Sequence, residues 1–164
     1  MTAPPPTPAP RSSAEQTKLE LAMTTLFEQS VCFNQLLGMK VESLDPSRPA
    51  LRLAMRDELI GHHAYGRLHG GATSSVLDAT GGLAVMMAIS VKHLDEDADQ
   101  IMNRYLRIGT IDLRIDFLRQ GIGKFFIARA TVTRLGGRIA STQMSLENQD
   151  GLLIATGAAA YAVS

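Results

Sequence analysis

The sequence predicts an α+β fold in which an antiparallel sheet of about six strands curls around one long buried helix. Residues 73–91 carry a single charge, so a helix over this segment has to be enclosed by protein. After it, turn signals recur about fifteen residues apart, at 121–123, 136–137 and 150–151, and separate strand-like segments. Because 164 residues with 45% hydrophobic content are enough for one core, we assign residues 13–164 to a single domain.

The first segment of the chain is rich in proline. Five of the seven prolines lie in the first ten residues, and this composition favours an extended chain that buries little apolar area. We therefore predict a disordered tail over residues 1–12. Two overlapping capping boxes begin at Ser12 and Ser13, and they predict a first helix over about residues 14–33.

The remaining segments are predicted to be strands and one loop. Alternating apolar residues predict two short strands over 40–44 and 50–55, joined by a turn that contains two prolines. The polar segment 92–100 ends the buried helix and is predicted to be an exposed loop. Four antiparallel strands then form a meander, with expected limits at residues 109–119, 124–135, 138–148 and 152–162.

Charge and cysteine content limit the possible partners. Sixteen basic and sixteen acidic residues give a formal net charge of zero, so no overall field attracts nucleic acid or anionic lipid. The single cysteine, Cys32, excludes an internal disulfide, and the first thirty residues lack a secretory signal, which predicts a cytoplasmic protein. The long helix approaches transmembrane length, but Asp78 and several hydroxyl and glycine residues within it argue against a membrane span. We expect neither a nucleic-acid partner nor a membrane.

The start of the long helix carries the candidate chemistry. Gly70 and Gly71 leave backbone N–H groups open at a helix N-terminus, where the helix dipole favours negative charge such as an oxyanion. Asp78 follows Gly70 by eight residues, a displacement of about 12 Å along the helix. Asp78 therefore cannot act on the same carbonyl as the Gly70 amide of its own chain. If both groups take part, Asp78 comes from a second copy, which predicts an active site at a symmetric dimer interface.

The segment from His69 to Asp78 resembles the signature of a known enzyme family. It reads His-Gly-Gly with an acid seven residues after the second glycine, as in the hotdog-fold acyl-CoA thioesterases of the phenylacetate-pathway (PaaI-like) group. The segments 37–38, 112–119 and 151–157 also fall where that family's pattern places them. The resemblance implies a helix wrapped by an antiparallel sheet, homodimers usually paired into homotetramers, and hydrolysis of acyl-CoA thioesters without a metal or organic cofactor.

The resemblance also implies roles for individual residues. Asp78 matches the catalytic acid, which acts as a general base for water or as a nucleophile through an anhydride. Gly70, together with Gly71 where both take part, matches the backbone donor to the thioester oxygen. His69 matches the signature histidine, which we expect to orient the loop rather than transfer protons.

Other positions depart from the family pattern. His62 and His63 stand where the family commonly has an Asn or Gln that helps to place the carbonyl or the water, and they are kept as candidate site residues. Three histidines within eight residues invite a zinc site, but no carboxylate or thiol joins them at ligand spacing, so no metal is predicted. No Gly-x-Ser-x-Gly elbow is present, so serines in the helix are not triad nucleophiles. The candidate substrate-binding residues of the helix are Ser74, Ser75, Met86 and Gly82, the last standing where some relatives carry a Ser.

A basic segment offers ligands for the phosphates of coenzyme A. Residues 104–138 hold eight of the sixteen basic residues and two acids, which gives a local charge of +6. The candidate phosphate ligands are Arg104, Arg107, Arg119, Lys124, Arg134 and Arg138.

The apolar residues of the helix predict the size of the acyl group. An apolar pocket beside Met86 favours a medium or long acyl chain, or an aryl group, over acetyl.

Two alternatives to a thioesterase are a non-catalytic acyl-CoA sensor and a hotdog dehydratase. The acid within the apolar helix favours an enzyme, because a binding module has no need for an ionisable group there.

Overall fold

The computed structural model describes residues 9–164. Its N-terminal helical region consists of three consecutive helical segments. Helix α1 (Ser13–Thr25) begins at Ser12, whose hydroxyl accepts a hydrogen bond from the Glu15 amide, and continues as one π-helical turn (Leu26–Ser30). Helix α2 (Cys32–Leu37) follows after Val31, which has extended backbone angles. The helix expected over 14–33 is therefore interrupted at Val31 and extended to Leu37.

The predicted tail is described only in part. Residues 1–8 lie outside the described residues. Arg11, which the sequence analysis placed in the tail, donates hydrogen bonds from its guanidinium to the carbonyl oxygens of Ser90 (2.9 Å) and Glu96 (2.6 Å). Arg11 is thus in contact with the rest of the domain.

The sheet has six antiparallel strands, and its order differs from the predicted meander. In chain order the strands and helices after α2 are β1 (Met39–Ser43), β2 (Ala50–Ala54), β3 (Ile60–His62), β4 (Arg67–Leu68), α3 (Gly70–Lys92), α4 (Ala98–Tyr105), β5 (Gly109–Phe117), β6 (Phe125–Leu135), β7 (Ile139–Asn148) and β8 (Leu153–Ala162). The strand order in the main sheet is β1-β2-β6-β7-β8-β5, and β3 pairs with β4 in a separate small hairpin.

The prediction of a four-strand meander is wrong for β5, which pairs with β8 rather than with β6. The physical reason lies in the connection after β5. The amides of Leu118 and Arg119 donate to the carbonyl of Ile154, and the amide of Leu68 donates to the carbonyl of Gly121. This segment therefore runs along the end of the sheet instead of forming a hairpin turn. Only β6, β7 and β8 form a meander.

Helix α3 lies against the sheet and supplies the centre of the core, as predicted. Its sheet-facing side chains are fully buried, and Phe126 and Leu146 of the sheet pack in the same cluster. By length and hydropathy α3 would suffice to cross a membrane, and 61% of its apolar stretch is buried inside this domain. The helix thus serves as the core of the fold.

Two elements were not predicted from the sequence. The short β3–β4 hairpin precedes α3, and α4 occupies part of the predicted loop 92–100. Asp97 and Gln100 form a capping box at the start of α4. Ala98 and Ile101 of this helix are buried. Helix α4 packs on α1 and also contacts α3.

Candidate active site

Asp78 lies on a partly exposed face in the middle of α3, and its carboxylate is held from two strands. Its Oδ1 accepts a hydrogen bond from Thr110 Oγ1 at the start of β5, at 2.9 Å. The Tyr161 hydroxyl of β8 lies 3.2 Å from the same Oδ1 and 2.9 Å from the Asp78 carbonyl oxygen, so one hydroxyl proton is shared between two acceptors. Within residues 9–164, no donor forms a hydrogen bond with Oδ2.

Tyr161 reaches Asp78 through a gap that Gly81 leaves in α3. The tyrosine side chain is 1% exposed. A Cβ on Gly81 would lie 2.1 Å from the Tyr161 hydroxyl oxygen and 2.9 Å from Met144 Sδ, so this position cannot carry a side chain as the structure stands. Burial, with a further contribution from the Asp78 charge, raises the pKa of Tyr161, and the hydroxyl remains a donor at neutral pH.

A cavity of about 270 Å³ adjoins Asp78. On α3 it is lined by Ser75, Ala79 and Gly82. The opposite wall comes mainly from the N-terminal helical region and from the segment that joins α4 to β5. The apolar side chains of that wall are Phe27, Val31, Phe33, Tyr105 and Ile108. A carboxylate oxygen thus faces a space whose walls are largely hydrocarbon.

The N-terminus of α3 is capped by the side chain of His69. Its Nδ1 accepts a hydrogen bond from the Gly71 amide at 2.8 Å, which requires a neutral ring with the proton on Nε2. Gly61 allows this loop to pack, because a Cβ there would lie 2.6 Å from His69 Cα. The Gly71 amide is therefore already used within the chain. Within residues 9–164, the Gly70 amide has no acceptor.

Gly70 and Asp78 line different cavities of the single chain. The cavity at Gly70 has a volume of about 430 Å³ and is also lined by Arg67, Thr73, Phe117 and Arg119. None of these residues lines the cavity at Asp78. This separation agrees with the eight-residue spacing of the two groups along α3.

Comparison with known proteins identifies the family. The model of the thioesterase superfamily matches residues 65–155, more than half of the chain. The chain belongs to the thioesterase superfamily. The medium/long-chain acyl-CoA thioesterase YigI of Escherichia coli K12 is 34% identical over 138 residues, which cover 84% of this chain and 89% of that protein.

Solved structures agree with this assignment. A Shewanella oneidensis protein related to the thioesterase superfamily superimposes with a TM-score of 0.86 at 33% identity, over 93% of this chain and 99% of that one. A structure from Syntrophus aciditrophicus gives a TM-score of 0.80 at 31% identity, over 93% and 100% of the two chains. The predicted hotdog fold and the thioesterase resemblance are thereby confirmed, whereas assignment to the PaaI-like group stays a prediction.

The histidines upstream of the signature lie at the same end of the thioesterase as Gly70. His62 ends β3 and pairs with Arg67 of β4, and the ring of His63 stacks on that of His62 with centroids 5.6 Å apart. His62 Nδ1 is buried and has no hydrogen-bond partner in the part of the chain that the structure describes. Neither histidine lines the Asp78 cavity of its own chain.

Of the predicted substrate-binding groups on α3, Met86 has other surroundings than expected, whereas the two serines do not. Met86 is fully buried in the core and is absent from the residues that line the Asp78 cavity, because it lies on the enclosed side of α3. The hydroxyls of Ser74 and Ser75 donate to the carbonyl oxygens of Gly70 (2.9 Å) and Gly71 (2.7 Å). As predicted, they behave as helix hydroxyls, and Ser75 also lines the Asp78 cavity.

The six predicted phosphate ligands do not form one patch. Arg104 contacts both carboxylate oxygens of Glu96, and this hydrogen-bonded guanidinium lowers the pKa of Glu96. Arg119 lines the Gly70 cavity and donates to the Leu153 carbonyl at 3.0 Å. Arg107 is exposed after α4. The others are exposed at opposite ends of the sheet, Lys124 before β6 and Arg134 and Arg138 around the β6–β7 turn.

Thr110 and Tyr161, the two donors to Asp78, were missed by the sequence analysis. Their chain positions are 32 and 83 residues away from Asp78, so no local motif connects them. One signal was available in β8, where Tyr161 is an isolated large residue after a run of Ala and Gly. Such an aromatic residue marks a place where the facing helix has to make room, and Gly81 provides that room.

Proposed function

We propose that this thioesterase hydrolyses acyl-CoA, with Asp78 of one subunit and the Gly70 amide of another at each active site. The observation that carries the proposal is the geometry of Asp78, because a carboxylate with one tethered oxygen and one free oxygen faces a largely apolar cavity. The medium/long-chain acyl-CoA thioesterase YigI is 34% identical to this chain.

The chemistry follows from these groups in either of two forms. As a general base, Asp78 Oδ2 takes a proton from water while the water oxygen attacks the thioester carbon. The carbonyl oxygen becomes an oxyanion and accepts the Gly70 N–H of the other subunit. When the intermediate collapses, the C–S bond breaks, and the proton on Asp78 goes to the departing thiolate to give the free acid and CoA.

As a nucleophile, Asp78 Oδ2 attacks the same carbon, releases the CoA thiolate and forms an anhydride, which water then hydrolyses. The products are the same in both forms. Labelled solvent oxygen found in Asp78 after a single turnover would show the anhydride route with water attacking the Asp78 carboxyl carbon, because the general-base route adds that oxygen to the acyl product alone.

The positions of the two groups support the use of a second subunit. Gly70 and Asp78 line separate cavities of one chain, so a site that uses both has to be completed by another copy. The edge strand β5 offers a surface for this contact, since Ile111 and Phe117 are more than half exposed. A pairing of such dimers into tetramers and a cytoplasmic location stay predictions from the sequence.

The walls of the Asp78 cavity favour an apolar acyl group. Phe27, Val31 and Phe33 of the N-terminal helical region line it, in place of the Met86 surface expected from the sequence. A medium or long acyl chain, or an aryl group, would be enclosed there. Contacts to the CoA phosphates are proposed for the basic residues other than Arg104, which is engaged by Glu96.

The test is release of free thiol from acyl-CoA substrates that range from acetyl to palmitoyl and include aryl-acyl forms. Wild type should hydrolyse the longer substrates, and Asp78→Asn should lower kcat by about 10²- to 10⁴-fold with an unchanged melting temperature. The exposed Asp95→Asn is the matched control and should behave as wild type. Binding of acyl-CoA without turnover by the wild type would support the sensor alternative instead.

A further inference from the structure

The two donors to Asp78 come from opposite parts of the chain and meet on one oxygen. Thr110 opens the edge strand β5, and Tyr161 lies near the end of β8, its partner in the sheet. Both hydroxyls reach Oδ1, and Tyr161 also contacts the carbonyl oxygen of the same residue. The side chain and the backbone of Asp78 are therefore tied to the sheet at the same point.

We propose that Tyr161, with Thr110, is a positioning residue that holds Asp78 by Oδ1 and leaves Oδ2 as the reacting oxygen. The inference rests on the proposed function and specifies which carboxylate oxygen acts there. A carboxylate on a helix can rotate about two side-chain torsions, and a group that is tethered on one oxygen presents the other in a fixed direction.

The packing around Tyr161 indicates that its hydroxyl, and not merely its ring, is accommodated. The hydroxyl oxygen is the atom closest to a Cβ at Gly81, at 2.1 Å. A glycine in the interior of a helix weakens that helix relative to alanine. The neighbouring Gly82 has no heavy atom within 4 Å of an added Cβ, so close packing is confined to the residue that faces Tyr161.

The protonation state of the surrounding groups suits this arrangement. Burial raises the pKa of Tyr161 and also that of Tyr105, the second phenol beside the cavity, and the Asp78 charge adds to both effects. Both phenols therefore stay neutral at the pH of an assay. Thr110 has no charge to lose. The tether consists of hydrogen bonds whose donors do not titrate in the working range.

The experiment compares three conservative variants with the wild type. Tyr161→Phe removes one hydroxyl from a buried ring, Thr110→Val removes the other, and Thr110→Ser is the matched control that keeps a donor. Initial rates against acyl-CoA concentration give kcat and KM separately, and thermal unfolding checks that each variant is folded.

We expect Tyr161→Phe and Thr110→Val each to lower kcat by roughly 10- to 100-fold while KM changes by less than about twofold. Thr110→Ser should restore most of the wild-type kcat. A variant that lost only packing would instead show a lower melting temperature with kcat preserved in the folded fraction.

The possible failures are distinguishable. If wild type hydrolyses acyl-CoA in an Asp78-dependent way and folded Tyr161→Phe keeps its kcat, the positioning role is wrong and the proposed function stands. Equal losses in Thr110→Ser and Thr110→Val would also contradict the tether. If wild type releases no thiol from any substrate, both proposals fail.

Discussion

The hydroxyl oxygen of Tyr161 occupies the space that a side chain at Gly81 would need. An ideal Cβ on Gly81 would lie 2.1 Å from this oxygen, and the tyrosine ring is enclosed by the core. Residues 81 and 161 are therefore coupled although 80 positions separate them. A substitution at either residue should therefore affect the packing of the other and, through the Tyr161 hydroxyl, the position of Asp78.

Gly81→Ala should destabilise the protein although alanine favours helix. We expect a loss of about 1–3 kcal/mol in the free energy of unfolding, because Tyr161 is forced out of its position. Gly82→Ala is the matched control and should be neutral or stabilising by up to about 1 kcal/mol, since its Cβ meets no atom within 4 Å. Denaturant unfolding measures both. A smaller loss for Gly81→Ala in a Tyr161→Phe background would confirm the coupling, and equal losses would contradict it.

Gly70→Pro removes the proposed oxyanion donor with little disturbance of the helix. Gly70 is the first residue of α3, where proline is tolerated, and His69 before it already has the extended angles that proline requires. A Cβ at Gly70 would make an ordinary contact of 3.4 Å with Phe117. We expect kcat to fall by about 10²- to 10³-fold. Gly70→Ala keeps the N–H and should retain activity, and an active Gly70→Pro enzyme would exclude this amide as the donor.

Two inactive variants should complement each other if active sites are shared. In a dimer of one Gly70→Pro chain and one Asp78→Asn chain, one site contains both defects and the other contains neither. A statistical mixture should therefore recover about a quarter of wild-type activity. The mixture is prepared by refolding differently tagged chains together, and heterodimers are quantified by tandem purification. Heterodimers that form without recovered activity would show that each site lies within one chain.

A larger residue at position 82 should shorten the acyl chain that is accepted. Gly82 lines the cavity beside Asp78 and has open space where its side chain would be. We expect Gly82→Leu to lower kcat/KM for palmitoyl-CoA by at least about tenfold relative to short acyl-CoA substrates, because one buried side chain fills space worth several methylenes. Parallel rates on the two substrates measure the ratio. An unchanged ratio would place the acyl chain elsewhere.

The contact between Glu96 and Arg104 should make stability depend on pH. The guanidinium holds the pKa of Glu96 below its ordinary value of 4.5 in the folded protein. The contribution is therefore present above that value and is lost as pH falls through the folded pKa. We expect Glu96→Gln to cost about 1 kcal/mol at pH 7, with a smaller difference from wild type at pH 3.5. An identical difference at the two pH values would contradict this assignment.

The sequence predicted the features that depend on local pattern. Turn residues placed the limits of β6, β7 and β8 within a few positions, and the single charge in residues 73–91 indicated a buried α3. The order of the strands was not predictable in this way, because β5 and β8 pair through residues that are 38 to 53 positions apart in the chain. Local spacing favours consecutive hairpins, and the path of residues 118–124 along the sheet end decides otherwise.

In the candidate site, too, the features that depend on local spacing were predictable and those that depend on tertiary packing were not. The spacing of Gly70 and Asp78 along α3 was sufficient to predict that they face different cavities. Thr110 and Tyr161 could not be assigned, because what they contact depends on strand pairing and on a gap in the helix that only three-dimensional packing reveals. Met86 lies in the core and does not line the Asp78 cavity, which composition could not show because it does not tell which side of an apolar helix is covered.

The placement of α3 before most of its covering strands has a consequence for synthesis on the ribosome. Lys92 leaves the ribosome about 70 residues before the last residue of β8, a delay of roughly 4 to 14 s at ordinary elongation rates. At the start of that interval an apolar segment long enough to cross a bilayer has only β1 and β2 of the sheet to cover it. The nascent helix therefore exposes apolar surface that the finished fold buries.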